Sequence, residues 1–398
     1  MLDELDALTA FAIALAATAL LTPLTTRFAR AIGAIDQARG RGLAPGGTPL
    51  LGGLAIFAGA TIAAIVVMPG SEELHGILAA AAVITAVGAI DDRFDLHPAL
   101  KLAGQVVAAV LAVRAGVTVD FVTIPFVGRL GFGDLGGPLT VLGLVAVMNV
   151  VNLSDGIDGL AAGVCAISAG ALAVIAFDLQ RNEGGVLAAI TAGAALGFLI
   201  HNFAPASVYM GDCGSNLLGL ALGCVAVLGS VKTNAVLALI FPLIVLAVPF
   251  LDTTFVVLKR MKYRRPVYAA DREHFHHRFD RIGFSTRRTV LYLYAWTLSL
   301  AGLAVALRFV PYSDDGGTLH LGWAAVMAGL GLTVLIASAY LVYVLEILKF
   351  KRLDAALLRR HRPSASEADI DADVARRLET GEFDAVRRET EEFDRLQL

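Results

Sequence analysis

The sequence predicts an all-α polytopic membrane protein: about eleven transmembrane helices, with cytoplasmic active-site loops and a short outer-face hairpin. Three observations predict it. The 398-residue chain is 57% hydrophobic. Its apolar residues are gathered into repeated runs close to the roughly 20 residues that cross a hydrocarbon core at about 1.5 Å per residue. Its Lys and Arg are divided unequally between alternate loops, as they are when basic loops stay cytoplasmic.

In chain order the expected spans cover residues 5–24, 50–68, 75–90, 100–114, 137–151, 160–177, 186–204, 214–231, 235–257, 288–309 and 321–345. Asp3, Glu4 and Asp6 precede the first span where a signal peptide would carry basic residues, so it reads as a retained helix. Between the fourth and fifth spans, residues 117–134 mix β-branched residues with glycines and read as the hairpin. No Pro- or Ser-rich linker interrupts residues 1–348, which read as one integral membrane domain. Residues 349–398 differ in kind, with 11 basic and 12 acidic side chains. Apolar positions there, among them Ile370, Val374 and Leu378, recur at helical spacing, which predicts a charged amphipathic cytoplasmic tail.

With the amino terminus outside, the inner loops hold 16 Lys and Arg and the outer loops five. This bias turns the basic loops to the cytoplasm, and the expected location is the cell (inner) membrane, as a multi-pass protein. The net charge of −3 is spread by region and leaves no nucleic-acid footprint. Cys165, Cys213 and Cys224 lack paired spacing and read as small apolar fillers.

Threading the chain through these spans brings three acidic clusters to one face. Asp91-Asp92-Arg93-Phe94-Asp95 follows the run ending at Ile90, and carboxylates this close need a cation, which Arg93 and Lys101 can supply. Asn152, Asp155 and Asp158 are spaced three apart, with Gly156 and Gly159 letting the backbone turn. Their oxygens suit Mg²⁺ or the edge of a uracil. Gly211-Asp212-Cys213-Gly214-Ser215 opens another apolar run, and a helix amino terminus attracts phosphate. Asp212 would repel that phosphate unless a metal lay between them. Tyr209 and Asn202, with His201, stand close enough in sequence to meet a base. On the same face falls the most basic loop, where His274, His276 and His277 accompany Arg264, Arg265 and Arg272. Arg offers paired hydrogen bonds to a diphosphate, and no cysteine completes a zinc site.

Together these pieces resemble the polyprenyl-phosphate N-acetylhexosamine-1-phosphate transferases, distant relatives of the muramoyl-pentapeptide transferases. The matching stretches run from Pro49 through Asp91-Asp92, Asn149 to Ala161 and Met210 to Ser215, and end at Asp271 to His277. The resemblance implies transfer of a sugar 1-phosphate from a UDP-sugar to a polyprenyl phosphate on the cytoplasmic face, with release of UMP. It also implies Mg²⁺, or Mn²⁺ in its place, and allows a homodimer. By position, Asp212 and Asn152 look like metal ligands and Asp158 like a uridine contact. Asp91, Asp92, Asp155, His276 and His277 look catalytic, with Asp91 and Asp92 handling the lipid phosphate. Tyr209, Asn202, His274, Arg264, Arg265 and Arg272 look substrate-binding. The His-x-His-His spacing resembles the N-acetylglucosamine branch, and Gly46 stands where the muramoyl branch has Lys.

Other readings explain less. Intramembrane prenyltransferases also place Asp-rich motifs at helix ends, but lack the Gly-Asp-x-Gly-Ser stretch and the basic His loop. The CDP-alcohol phosphotransferase pattern fails after Asp155-Gly156, where Ile157 and Asp158 follow. A transporter would keep its carboxylates near mid-membrane rather than at span ends.

Overall fold

A computed structural model describes residues 2–36, 47–124, 128–230, 285–311 and 320–344. Ten α-helices run through them: α1 (Glu4–Ile32), α2 (Gly52–Val67), α3 (Glu72–Phe94), α4 (Pro98–Arg114), α5 (Gly136–Ser154), α6 (Leu160–Asp178), α7 (Asn182–Asn202), α8 (Gly211–Ser230), α9 (Thr286–Phe309) and α10 (Leu321–Val344). Each expected span within the described residues coincides with one of them. Eight are long and apolar enough to cross a membrane; α2 is apolar but shorter. The expected span at 235–257 lies outside the described residues, as do the tail at 349–398, His274, His276, His277, Arg264, Arg265 and Arg272.

The helices overrun the expected spans at one end in particular. Helix α1 continues to Ile32, α3 runs through Asp91 and Asp92, and α8 begins before Asp212. Hydropathy marks the lipid-facing stretch, whereas the helix ends where a cap satisfies its last backbone groups. At α1 the start is a capping box between Asp3 and Asp6, and the end is Gly33 at φ 74°.

Two short antiparallel pairs and a 3₁₀ turn at Gly133–Leu135 complete the described secondary structure. Ile35–Asp36 pairs with Thr48–Pro49, and the expected hairpin forms between Phe121–Ile124 and Gly128–Gly131. It joins α4 to α5 at the end opposite the acidic clusters.

Small residues let the helices pack closely. A Cβ at Gly193 or Gly197 of α7 would come within 2.3 Å of a backbone oxygen of α1, at Phe11 or Leu15. Two such residues one turn apart bring backbones together where lipid supplies no hydrophobic drive. Helices α6, α7 and α8 form the centre of the bundle, with Phe198, Ile190, Ile175 and Leu218 fully enclosed. The outer helices turn large apolar side chains outward instead. Leu20 of α1 is 75% exposed and Leu142 of α5 66%, as suits contact with acyl chains. Helix α10 leans on α9, where the Trp296 indole donates to Ser338 Oγ at 2.8 Å.

Candidate active site

Four helix ends bring the site together: the last turns of α3 and α5 and the first turns of α4 and α8. His97 and Pro98 fix the start of α4, His97 accepting from the Ala99 amide and Pro98 occupying the first helical position. This start places Lys101 inward. Its ammonium pairs with Asp212 and, at 3.3 Å, with Asp91, and donates to Asn152 Oδ1 at 3.2 Å. The amide nitrogen of Asn152 in turn donates to Asp212 Oδ1 at 2.7 Å and Ser215 Oγ at 2.8 Å. Asp91, Asn152 and Asp212, more than 50 residues apart in sequence, therefore converge on one cation.

Asp92, next in the chain, does something else. Its carboxylate accepts from the backbone amides of Asp212 at 2.6 Å and Cys213 at 3.2 Å, so α3 caps the amino terminus of α8. The fit requires glycine at 211, which has φ 70° and where a Cβ would lie 2.3 Å from the Asp92 carboxylate.

The expected counter-ions divide. Lys101 neutralises the cluster, while Arg93 turns away, donating to Ile32 O at the carboxyl end of α1 at 2.7 Å and lying over the Phe94 ring.

Asn152, Asp155 and Asp158 do not share a helical face. Helix α5 stops at Ser154, Asp155 is its C-cap, and Gly159 takes φ 80° to open α6. Asn152 consequently faces Lys101 and Asp212, while Asp158 points toward the 203–210 loop and accepts from the Ala206 amide at 2.8 Å. Between them, burial pushes the Asp155 carboxyl up to about 8, with the negative charges of Asp212, Asp92 and Asp158 acting in the same direction.

Around Asp158 lies a second, smaller assembly. Asn202 is buried and both ends of its amide are used: Oδ1 accepts from Gly159 N and Nδ2 donates to Val208 O, each at 2.9 Å. Helix α9 binds the same loops, with the Tyr294 hydroxyl on Gly159 O and Arg287 Nε on Ala204 O at 2.7 Å. The half-buried Tyr209 holds the start of α2, its backbone pairing with Pro49 and Gly52. Asn202 thus fixes the geometry of the loops that display Asp158.

Sequence reasoning passed over a further set of residues. Gln105, Asn149 and Asn216 form a hydrogen-bonded layer directly behind the cluster. The signal was present in each case: a carboxamide in an otherwise apolar span is costly and needs a partner. The three cysteines behave as read, all buried and free.

A helical bundle crossing a membrane, with acidic, amide and ammonium groups gathered where its helix ends meet, defines a polytopic membrane protein with a polar site at one end. The glycosyl transferase family 4 pattern matches residues 74–230, which hold most of this site. The chain is 36% identical to the probable undecaprenyl-phosphate N-acetylglucosaminyl 1-phosphate transferase of Bacillus subtilis, covering 77% of this chain and 87% of that protein. It is 35% identical to the decaprenyl-phosphate N-acetylglucosaminephosphotransferase of Mycolicibacterium smegmatis, across 82% and 87% of the two chains. It is also 34% identical to the phospho-N-acetylmuramoyl-pentapeptide-transferase of Moorella thermoacetica, over 75% of this chain and 98% of that one. The protein belongs to glycosyl transferase family 4, and to the family of polyprenyl-phosphate N-acetylglucosamine phosphate transferases that the Bacillus and Mycolicibacterium relatives represent.

Proposed function

We propose that the protein transfers N-acetylglucosamine 1-phosphate from UDP-N-acetylglucosamine to undecaprenyl or decaprenyl phosphate, releasing UMP and initiating a cell-envelope glycan. The observation that carries this reading is the convergence of Asp91, Asn152 and Asp212 on Lys101 at one end of the bundle. The names of the relatives support the lipid acceptor and the sugar. The excess of basic residues in the loops assigned to this end supports an active site on the cytoplasmic face of the inner membrane.

The reaction joins two anions. An oxygen of the lipid phosphate bonds to the phosphorus that carries the sugar, the bond from that phosphorus to the bridging oxygen breaks, and UMP leaves with the electron pair. A phosphate monoester has its second pKa near 6, so at neutral pH the nucleophile is already mostly dianionic. Charge, rather than a strong base, is what the site must supply.

The Asp212 carboxylate and the Asn152 carboxamide oxygen both face an ammonium, so the fold supplies oxygen donors for positive charge here. Hard oxygens of this kind suit Mg²⁺, with Mn²⁺ as a substitute, and these two residues would hold it. When bound, the ion supplies Lewis-acid neutralisation of the diphosphate. Lys101, held by Asp91, offers a further cation to an incoming phosphate. Asp92 has both oxygens on the backbone of α8 and works by fixing Asp212. Asp158 and Tyr209 border the loops assigned to uridine, with Asn202 beneath them. His274, His276, His277, Arg264, Arg265 and Arg272 are assigned to the diphosphate from sequence.

The deciding assay is release of UMP from radiolabelled UDP-N-acetylglucosamine by purified protein with polyprenyl phosphate and Mg²⁺. No release with this donor, but release with another UDP-N-acetylhexosamine, would move the assignment to that sugar. A sugar-phosphate adduct trapped on Asp91 or Asp92 would overturn direct displacement.

A further inference from the structure

Gln105 lies one helical turn beneath Lys101 on α4 and is 1% exposed. Its two amide ends face different helices. Oε1 accepts from Asn149 Nδ2 of α5 at 2.8 Å, and Nε2 donates to Asn216 Oδ1 of α8 at 2.7 Å. The outer members are each tied to their own helix: Asn149 donates to Val145 O and Asn216 to Asp212 O, both at 2.8 Å. Gln105 is therefore the bridge of the three.

The spacing gives the layer its meaning. Gln105 follows Lys101 by four residues, Asn149 precedes Asn152 by three, and Asn216 follows Asp212 by four. Residues three or four apart share a helical face. Helices α4, α5 and α8, which send Lys101, Asn152 and Asp212 into the charged cluster, therefore each send an amide into the layer behind it. Apolar contacts alone would let three such helices rotate or slide at small cost, since they have no direction. Hydrogen bonds between buried amides do have direction, and an incomplete set leaves orphaned polar groups in an apolar bundle.

We propose that Gln105 is a positioning residue, bridging Asn149 and Asn216 so that Lys101, Asn152 and Asp212 face one another across α4, α5 and α8. It acts through those residues and touches no substrate. The consequence for catalysis rests on the transferase reading above; the positioning itself does not.

The chemistry of the bridge makes it testable. Its neighbours require one acceptor and one donor, because Asn149 presents N–H and Asn216 presents oxygen. Methionine supplies neither. A glutamic acid supplies both when protonated and loses the donor when ionised. In full-length protein with UDP-N-acetylglucosamine, polyprenyl phosphate and Mg²⁺, Gln105→Met is expected to lower kcat by about 10–100-fold, the usual effect of losing a group that orients a site residue. Gln105→Glu is expected to approach wild type near pH 6 and to fall away from it as the pH rises. A Met variant with wild-type kcat, a Glu variant that follows the wild-type pH profile throughout, or losses that merely track the folded fraction would overturn the proposal.

A readout independent of activity separates this idea from the transferase reading. The coupling between Lys101→Met and Asp212→Asn, measured from melting temperatures in detergent, should shrink by more than half in the Gln105→Met background. If wild type releases no UMP, the transferase reading fails and this coupling alone judges Gln105. Coupling that stays unchanged would show that the layer does not set the cluster.

Discussion

Asp212 is held by the Lys101 ammonium, the Asn152 amide and, through its own backbone, Asp92 and Asn216. Such a carboxylate is fixed before any ligand arrives, and its charge is the property the others are arranged around. Asp212→Asn is therefore expected to lower turnover by more than about a hundredfold, as loss of a preorganised charged group does, while the protein still folds and inserts. Turnover close to wild type would remove Asp212 from the reacting centre. Asp155 makes a different prediction. Its carboxyl holds a proton up to about 8 when folded, whereas an unfolded chain releases it near 4. Across that window the folded state binds more protons than the unfolded one, so stability falls as pH rises from about 4 to about 8. Asp155→Asn should flatten the decline in melting temperature between about pH 5 and 8, and parallel curves for the two proteins would contradict the raised pKa. At this scale the carboxylates and Asn152 were legible from residue type and spacing. Lys101 was legible as a counter-ion of the Asp91 cluster, but its contacts with Asn152 and Asp212 were not, because they join helices far apart in sequence. The division between Asp91 and Asp92 was not legible either, since only the packing of α3 against α8 sends one to an ammonium and the other to a helix end.

At the scale of elements, the site is a meeting of helix termini, and the least tolerant of these is the start of α8. Its first amides are satisfied by a side chain from another helix, and the entry of the chain depends on a residue with no Cβ. Gly211→Ala would meet the Asp92 carboxylate and strain a backbone at φ 70°. The expected result is a loss of about 1 kcal/mol or more of stability, with activity lost alongside. Asp92→Ala should cost about 0.5–2 kcal/mol by removing the cap, with Asp92→Asn milder because a carboxamide oxygen still accepts. Chemical denaturation in detergent checks both, and an Asp92→Ala protein as stable as wild type would sink the capping role. Helix existence was readable from hydropathy because lipid-length apolar runs are hard to mistake. The final polar turns were not, and it is these turns that carry Asp91, Asp92 and Asp212. The glycines marked the turn between Asp155 and Gly159, but the separation of Asp158 from Asn152 escaped for a related reason: equal spacing suggests one face only while the helix lasts, and α5 ends at Ser154.

For the molecule as a whole, the arrangement of ends tests the membrane reading. The carboxyl ends of α1, α3, α5 and α7 and the amino ends of α2, α4, α6, α8 and α9 meet around the site. The hairpin between α4 and α5 lies at the opposite end. If the bundle spans the bilayer with its site inward, a label that cannot cross the membrane must distinguish these two ends. The native protein suits the experiment, since Cys165, Cys213 and Cys224 are at most 1% exposed. Ala99, in the first turn of α4, and Asp134, beside the hairpin, are both exposed in the described structure. With a membrane-impermeant maleimide on intact cells or right-side-out vesicles, Asp134→Cys is expected to react at once. Ala99→Cys should react only after permeabilisation. Reversal of the pattern would put the site on the outer face, away from cytoplasmic nucleotide sugars, and would end the proposed function. Labelling of both positions from one side would contradict the threading itself. Orientation was inferred from the sequence because loop charge sets it, whereas the convergence of distant residues on Lys101 depends on helix rotations that only the packed bundle defines.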